Sequence, residues 1–416
     1  MPSLRVHAAR PFAALSALLL ALATAACEGS RADTGTPPAA PPTPAPVATP
    51  DSGATAGPAP GTGTALGPAA AAADSLARAA SPAVRALYVN RFAAQSARRM
   101  PALIALADST EINALVIDVK DEMGPNYTSE HDVIARNTIS LGKLRNVRAL
   151  TDSLRAHGIL PIARIVVFKD SVAARLNPQW TIRRPDGSIW RDHKGLAWVD
   201  PYNREVWEYN LAVAEEAVRL GFGEVQFDYI RFPEPYKSLP RQVFPADKGQ
   251  SKPDAIAELL KVANERLDKL GVRSTADIFG LVTTVAGPLE VAQHWERLSP
   301  VTDVLLPMVY PSHYPRGSLG VAHPNGQPYD IVYRAIKRAR ERDQKLGITG
   351  PENVRPWLQA FSLGKPDYGA EQVRQQKQAV YDAGYDGWVL WHPGSKYDAF
   401  IPALERGPLV SRKRAE

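Results

Sequence analysis

Cysteine is almost missing from this chain of 416 residues. Cys27 is the one thiol, so no internal disulfide can form and a buried core has to hold the fold. Histidine is sparse at eight residues, with no His-x-His, no His-Glu-x-x-His and no clustered His/Cys set, so no metal site is indicated. Also lacking are a Gly-x-Ser-x-Gly nucleophile elbow and a phosphate-cradling Gly-x-x-x-x-Gly-Lys loop, and nothing points to a bound cofactor. Charge is not massed: 49 Lys and Arg stand among 43 Asp and Glu, for a net +6, which argues against nucleic acid as a partner. The apolar run Phe12 to Ala26 is too short to span a bilayer.

That run has another use. Arg5 and Arg10 flank it, and it ends in Leu22-Ala-Thr-Ala-Ala-Cys27. The pattern resembles a bacterial lipoprotein signal over 1–27. The resemblance implies cleavage before Cys27, lipidation of its thiol and a membrane as partner. Thr24 stands where such signals more often carry Leu, so ordinary secretory cleavage stays open as the alternative. Glu28 after the cysteine resembles the type retained at the outer membrane of a Gram-negative cell. The stretch 28–82 is Pro, Ala, Thr, Gly and Ser with few large apolar residues; it cannot bury enough surface to fold and is predicted to be a disordered tether. Gly61-Thr-Gly63 within it lacks the preceding strand of a nucleotide fingerprint. The last residues, 407–416, read as a solvated basic tail.

Between tether and tail, 83–406 repeats one pattern: an amphipathic helix, a glycine, then a short β-rich run. The glycines are Gly158, Gly221, Gly271 and Gly384, each suited to the left-handed residue that ends a helix. Eight strands are predicted: Val84–Val89, Ala114–Val119, Ile159–Val167, Glu224–Phe232, Ser274–Val282, Asp303–Tyr310, Val354–Phe361 and Gly387–Trp391. Helices separate them, among them Glu205–Leu220, capped by Asn203, and Pro253–Leu270, with a stripe from Ile256 to Leu270. Alternating strands and helices imply a parallel sheet, and eight units close into a single (β/α)8 TIM barrel, with an open doubly wound sheet as alternative. The strand-to-helix connections 120–142, 168–202, 233–252 and 311–329 are long, whereas the returns are short. Long loops at strand C-termini are where barrel enzymes carry their sites.

Polar residues break the apolar strands at those ends. Val225 and Phe227 share one face of the fourth strand, and Gln226 and Asp228 the other. A carboxylate on a buried strand is costly unless it meets water, a partner or a substrate. Asp118 and Lys120 are placed on one face of the second strand, as an ion pair or as substrate contacts, and Arg164 interrupts the third as a partner for Asp118 or Asp228. Asp277 interrupts the fifth. Asp228 and Asp277 on neighbouring strands suit glycosidic-bond cleavage, one ionised and the other holding a proton, with Glu234 as an alternative proton donor. Each is also readable as a hydrogen-bonded structural acid. Arg231 follows Asp228 and would depress one of the two acids. Trp180, Trp190 and Trp198 in the third loop, Tyr310, His313 and Tyr314 after strand six, and Trp391 and His392 after strand eight are predicted to offer a saccharide groove.

The residues also carry a resemblance. Asn177-Pro-Gln-Trp180, Asp186-Gly, Trp198-Val-Asp200-Pro201 and above all Phe227-Asp228-Tyr-Ile-Arg231-Phe-Pro233 resemble the glycosyl hydrolase domain of bacterial lipoproteins and secreted proteins. Val116-Ile-Asp118-Val-Lys120-Asp and Ala276-Asp277-Ile-Phe-Gly280 are similar to it as well. The family is related to α-amylase-like and endo-α-galactosaminidase-like barrels, which implies a nucleophilic carboxylate at the end of strand four, where Asp228 stands. Gln226 stands where amylase-like enzymes have Arg, and Asp277 where they have Glu, which argues against an amylase-type mechanism and α-glucan substrate. The expectation is an extracytoplasmic, lipid-anchored retaining glycoside hydrolase acting on a cell-surface or extracellular polysaccharide, with Asp228 as nucleophile and Asp277 as acid/base. A barrel that binds glycan without cutting it is the alternative.

Overall fold

The computed structural model describes residues 83–139, 144–350 and 352–406. The proposed signal over 1–27 with Cys27, the tether 28–82 and the tail 407–416 lie outside the described residues. Eight parallel strands form the barrel: β1 (Arg85–Val89), β2 (Ala114–Asp121), β3 (Leu160–Val166), β4 (Glu224–Asp228), β5 (Arg273–Phe279), β6 (Val304–Met308), β7 (Trp357–Gln359) and β8 (Trp388–Trp391). Neighbours pair in chain order, and β1 pairs with both β2 and β8, so the ring of eight is closed. Gly124–Pro125 folds back antiparallel on the end of β2.

Six longer helices coat the ring: α1 (Arg99–Asp108), α2 (Val147–Ala156), α3 (Arg204–Arg219), α4 (Lys252–Asp268), α5 (Pro328–Lys345) and α6 (Ala370–Asp382). After β5 the outer layer is made by Trp295–Leu298 and short 3-10 turns, and after β8 by Asp398–Ala403. Asn203 caps α3 as its sequence suggests, accepting from the Glu205 amide at 2.9 Å, and Val206, Tyr209, Val213 and Ala217 face the sheet. Leu270 differs from expectation: α4 ends at Asp268, and Leu270 lies in the turn beyond it, exposed. Gly158, Gly221, Gly271 and Gly384 all have positive φ, as helix-terminating glycines require.

The core is in two parts. One lies between strands and helices; the other fills the ring itself, with Val84, Ala86, Val116, Ile162, Leu306, Trp357 and Val389. The inward residues of β4 add a polar column within that filling. Glu224 pairs with buried Arg355, Gln226 donates to Asp277, and Asp228 meets Arg164. The strand ends at Asp228 rather than at Phe232 because Tyr229 has a φ of 49°, a left-handed conformation unusual for a bulky residue. The kink turns the chain away just after the acid.

The long connections gather over the C-terminal ends of the strands. Those after β3 and β4 are tied to each other by the bridge Arg183–Val243, by Trp190 Nε1 donating to the Pro240 carbonyl at 2.9 Å, and by the Ala246 amide donating to Asp200 at 2.9 Å. Tyr202, Phe232 and Phe244 pack edge to face between them.

Candidate active site

Arg164 on β3 stands at the centre of the upper ring. Its Nε donates to Asp228 Oδ2 at 3.1 Å, Nη2 reaches the same oxygen, and Nη1 donates to Asp118 Oδ1. Asp277 Oδ2 lies 3.8 Å from Nε, an ion pair without a hydrogen bond. Three carboxylates from β2, β4 and β5 thus surround one guanidinium. Burial works against the charge on Arg164, and Asp118 and Asp228 more than offset it, so the cation is held firmly charged.

The three acids are not equivalent. Asp228 has the most open side chain, 11% exposed, and its Oδ1 accepts the amide of Tyr229. Asp118 is sealed: Tyr88 donates its hydroxyl to Oδ2 at 2.6 Å, and burial raises the carboxyl pKa while Arg164 and Tyr88 oppose the rise. Asp277 is sealed more deeply, 1% exposed, beneath Arg164 and Asp228. Its Oδ1 accepts from Trp357 Nε1 at 2.6 Å and Gln226 Nε2 at 2.8 Å, whereas Oδ2 has no hydrogen-bond donor. Burial, then the charge of Asp228, push this carboxyl well above its ordinary range. A proton on Oδ2 fits that environment, since one oxygen takes two N–H groups and the other none. Asp277 thus neighbours Asp228 and, almost without exposure, does not line the open mouth.

Other sequence expectations meet a different placement. Lys120 is not on the face of Asp118: the pairing of β2 with β3 shifts between the two residues, a bulge that turns Lys120 outward. There it is fully buried, paired with Asp170 at 2.9 Å and under Tyr209. Trp180, Trp190 and Trp198 are packing residues, each buried with its indole N–H spent on Glu205, the Pro240 carbonyl and Asp192. Trp198 underlies the site instead of presenting a platform, holding Tyr229 edge on at 5.6 Å and Arg231 over its face at 5.1 Å. Arg231 is itself buried among Trp198, Tyr229 and Phe279 and ion-pairs with Glu234 at 2.8 Å, so Glu234 is occupied. His392 turns to the outer layer against Tyr397 and Phe400, its pKa pushed down to about 4 by burial.

The expected aromatics of β6 and β8 do come together. Tyr310 and Trp391 stack at 5.6 Å, with Phe361 edge on to both and His313 against Tyr310 at 5.4 Å. Burial lowers the pKa of His313 to about 4, so the ring is neutral near pH 7. Trp391 is half-buried and gives this wall an exposed aromatic edge. Burial and the charges of Asp277 and Asp228 raise the pKa of Tyr310, placing it within reach of their field.

Five residues of the site were not singled out from the sequence. Tyr88 and Trp357 look like core aromatics, and only the fold shows their polar tips on Asp118 and Asp277. Tyr229 follows Asp228 directly, and its φ is the visible strain. Lys169 ends an apolar run after β3; its ammonium is 4.9 Å from the Tyr229 ring and 3.8 Å from Asp192. Glu122, in the turn after β2, was passed over beside Asp118 and Asp121.

Among the described residues no group of His, Cys, Asp and Glu is arranged to hold a metal ion, and no helix is long and apolar enough to cross a membrane. A closed parallel (β/α)8 barrel with acids converging on an arginine at the C-terminal strand ends has the architecture of a barrel enzyme. Residues 86–397 match the model of a family described as "Putative glycosyl hydrolase domain", and the chain belongs to that family. It is a hydrolase of glycosidic bonds. The chain is also similar to solved structures. A hypothetical protein from Ruminiclostridium thermocellum ATCC 27405 is 36% identical over 46% of this chain and 96% of its own, with a TM-score of 0.42. The endo-beta-1,4-mannanase of Thermotoga petrophila is 14% identical over 74% of this chain and 67% of its own, TM-score 0.48. The spore cortex-lytic enzyme SleL of Bacillus megaterium QM B1551 is 10% identical over 77% and 74%, TM-score 0.47. No curated protein matches the chain.

Proposed function

We propose that the protein cleaves a cell-surface or extracellular polysaccharide by a retaining mechanism in which Asp228 is the nucleophile. The observation that carries this reading is the state of Asp228. It is the most open of three acids around Arg164, and it ends β4 at the mouth of the ring. Fixing Oδ2 on Arg164 gives the carboxylate a cationic partner and orients it towards a developing oxocarbenium ion. Asp277, protonated below, keeps a second negative charge from competing for the same cation. It supports the nucleophile instead of touching the leaving oxygen. The stacked Tyr310 and Trp391, with His313, are proposed to meet the apolar face of a sugar, and Arg164 and Asp118 to shape the floor beneath it.

The N-terminal pattern extends the proposal: a lipid on Cys27 would hold the enzyme at the cell envelope on an extracytoplasmic face. Release of reducing ends from a panel of neutral and acidic polysaccharides tests the reaction. Products from wild type and none from Asp228→Asn support it; binding of an oligosaccharide with no product favours a barrel that holds glycan without cutting it.

A further inference from the structure

The second carboxylate of a retaining pair has to reach the leaving oxygen and exchange its proton with water. Around Asp228 most acids cannot. Asp118 and Asp277 are sealed, Asp121 is buried against Arg91 at 3.1 Å, and Glu234 is held by Arg231. Glu122 differs. It is partly exposed, and its carboxylate takes no hydrogen bond and no ion pair from any described residue.

Its backbone is nonetheless fixed. Glu122 sits at the tip of the turn that joins β2 to Gly124–Pro125, where Asp121 pairs with Gly124 and Asp121 Oδ1 accepts the Met123 amide at 2.8 Å. The Glu122 carbonyl accepts the Ser171 amide at 3.0 Å, tying the tip to the segment after β3. Asp228 flanks the same strand end from the other side: it pairs with Val166, and its carbonyl accepts the Val167 amide at 2.8 Å. Glu122 and Asp228 thus lie at the ends of the two strands that flank β3, one on either side.

We propose that Glu122 is the proton donor and later the general base of the hydrolysis in which Asp228 is the nucleophile, an inference that rests on the reading above. Burial is the first cause that raises the pKa of Tyr229, Asp121, Asp118 and Tyr88, at the end of β4, on β2 itself and on β1, and Glu122 lies close enough to add to each rise. In the first step Asp228 bonds to the anomeric carbon, the glycosidic C–O bond breaks, and its electron pair takes the proton of Glu122. In the second, water bonds to that carbon, gives a proton to Glu122, and the ester electron pair returns to Asp228.

The test uses Glu122→Gln and Glu122→Ala in the full chain, with thermal melts confirming the fold. Substrates are the polysaccharide that wild type cleaves in the panel and a series of 2,4-dinitrophenyl glycosides, whose leaving group needs no proton. Glu122→Gln is expected to lose about 10²–10⁴-fold in kcat on the polysaccharide. It should keep the first-turnover burst of dinitrophenol but turn over slowly after it, and lose the alkaline limb of the pH profile, and azide should restore turnover to Glu122→Ala. A Glu122→Gln enzyme with wild-type kcat and an intact limb overturns the role of Glu122 while leaving Asp228 in place. An Asp228→Asn enzyme as active as wild type, or a wild type that releases no reducing ends, overturns the reading of Asp228 and this inference with it.

Discussion

Arg164 and Asp228 are joined twice through one oxygen. Nε at 3.1 Å and Nη2 both donate to Oδ2, so Oδ1 is the oxygen left for other work. In this structure Oδ1 accepts only the amide of Tyr229, held there by the left-handed turn of that residue. A strained residue that fixes the orientation of an acid is the kind of feature that packing alone would not select.

Asp228→Asn keeps the shape and one acceptor but removes the charge that would bond to the anomeric carbon. Loss of kcat by at least about 10³-fold is expected, with the melting temperature changed by only a few degrees. The small stability effect follows from the surroundings: the change also removes repulsion from Asp118, which shares Arg164, and this offsets the weaker hold on that cation. Differential scanning calorimetry beside an activity assay checks both halves; an inactive variant that is also unfolded would say nothing for the assignment and would count against the predicted melt.

Arg164→Met leaves Asp118, Asp228 and Asp277 without their shared cation. Removing one partner of a buried ion pair costs about 3–5 kcal/mol, because the remaining charge has nowhere to go. The sign with pH follows. Arg164 opposes the burial that raises the pKa of Asp118 and Asp277, so without the guanidinium both rise further and the variant binds more protons when folded than when unfolded. Its stability deficit is smallest in acid and grows as pH rises through those raised values. Urea unfolding across the acidic-to-neutral range should show the deficit widening with pH. A deficit that narrows would mean that Arg164 does not stabilise the ionised acids.

The barrel and the order of its strands were legible because alternation and helix-terminating glycines are local signals, although the fourth strand ends at Asp228 and not at Phe232. Gly158, Gly221, Gly271 and Gly384 each mark a real helix end. Asp228 and Arg164 were legible as charges inside apolar strands, and Asp277 for the same reason, although sequence alone does not say how deep in the ring a residue sits. Three kinds of information were hidden. A bulge between Asp118 and Lys120 reverses the face of the lysine, and bulges leave no trace in residue type. The tryptophans of the third loop read as a platform because composition cannot tell an indole facing a sugar from one whose N–H is spent on Asp192. Glu122 was hidden among acids, since freedom from partners is a property of the fold.

Asp200 ties the loop after β3 to the loop after β4, accepting the amides of Tyr202 and Ala246, each at 2.9 Å. Burial pushes its pKa up to about 6 from 3.8 in spite of those two donors. A raised folded-state pKa gives a contribution to stability that is full below the ordinary value and is lost as pH rises through about 6. Asp200→Asn cannot titrate, so the fall in melting temperature over that window should flatten in the variant. An unchanged slope would assign the pH dependence to other groups, Asp121 among them.

Glu224 and Arg355 separate support of the barrel from work at its mouth. They pair at 2.6 Å and 3.2 Å beneath the layer of Gln226 and Asp277, both essentially without exposure. Arg355→Met strands a carboxylate in the filling of the ring and is expected to cost about 3–5 kcal/mol, whereas Glu224→Leu with Arg355→Met replaces the pair by apolar volume and should recover most of it. The mouth is two inward positions higher along β4, so the double variant should hold KM near wild type and lower kcat by less than about tenfold, the loss that about 1.4 kcal/mol of disturbed transition-state binding would give. Urea unfolding of both variants, with kinetics on the double one, reads the two effects separately. A stable double variant that has lost activity as completely as Asp228→Asn would mean that the polar column from Glu224 through Gln226 to Asp228 acts as one unit, and that the acid at the mouth depends on the charge at its base.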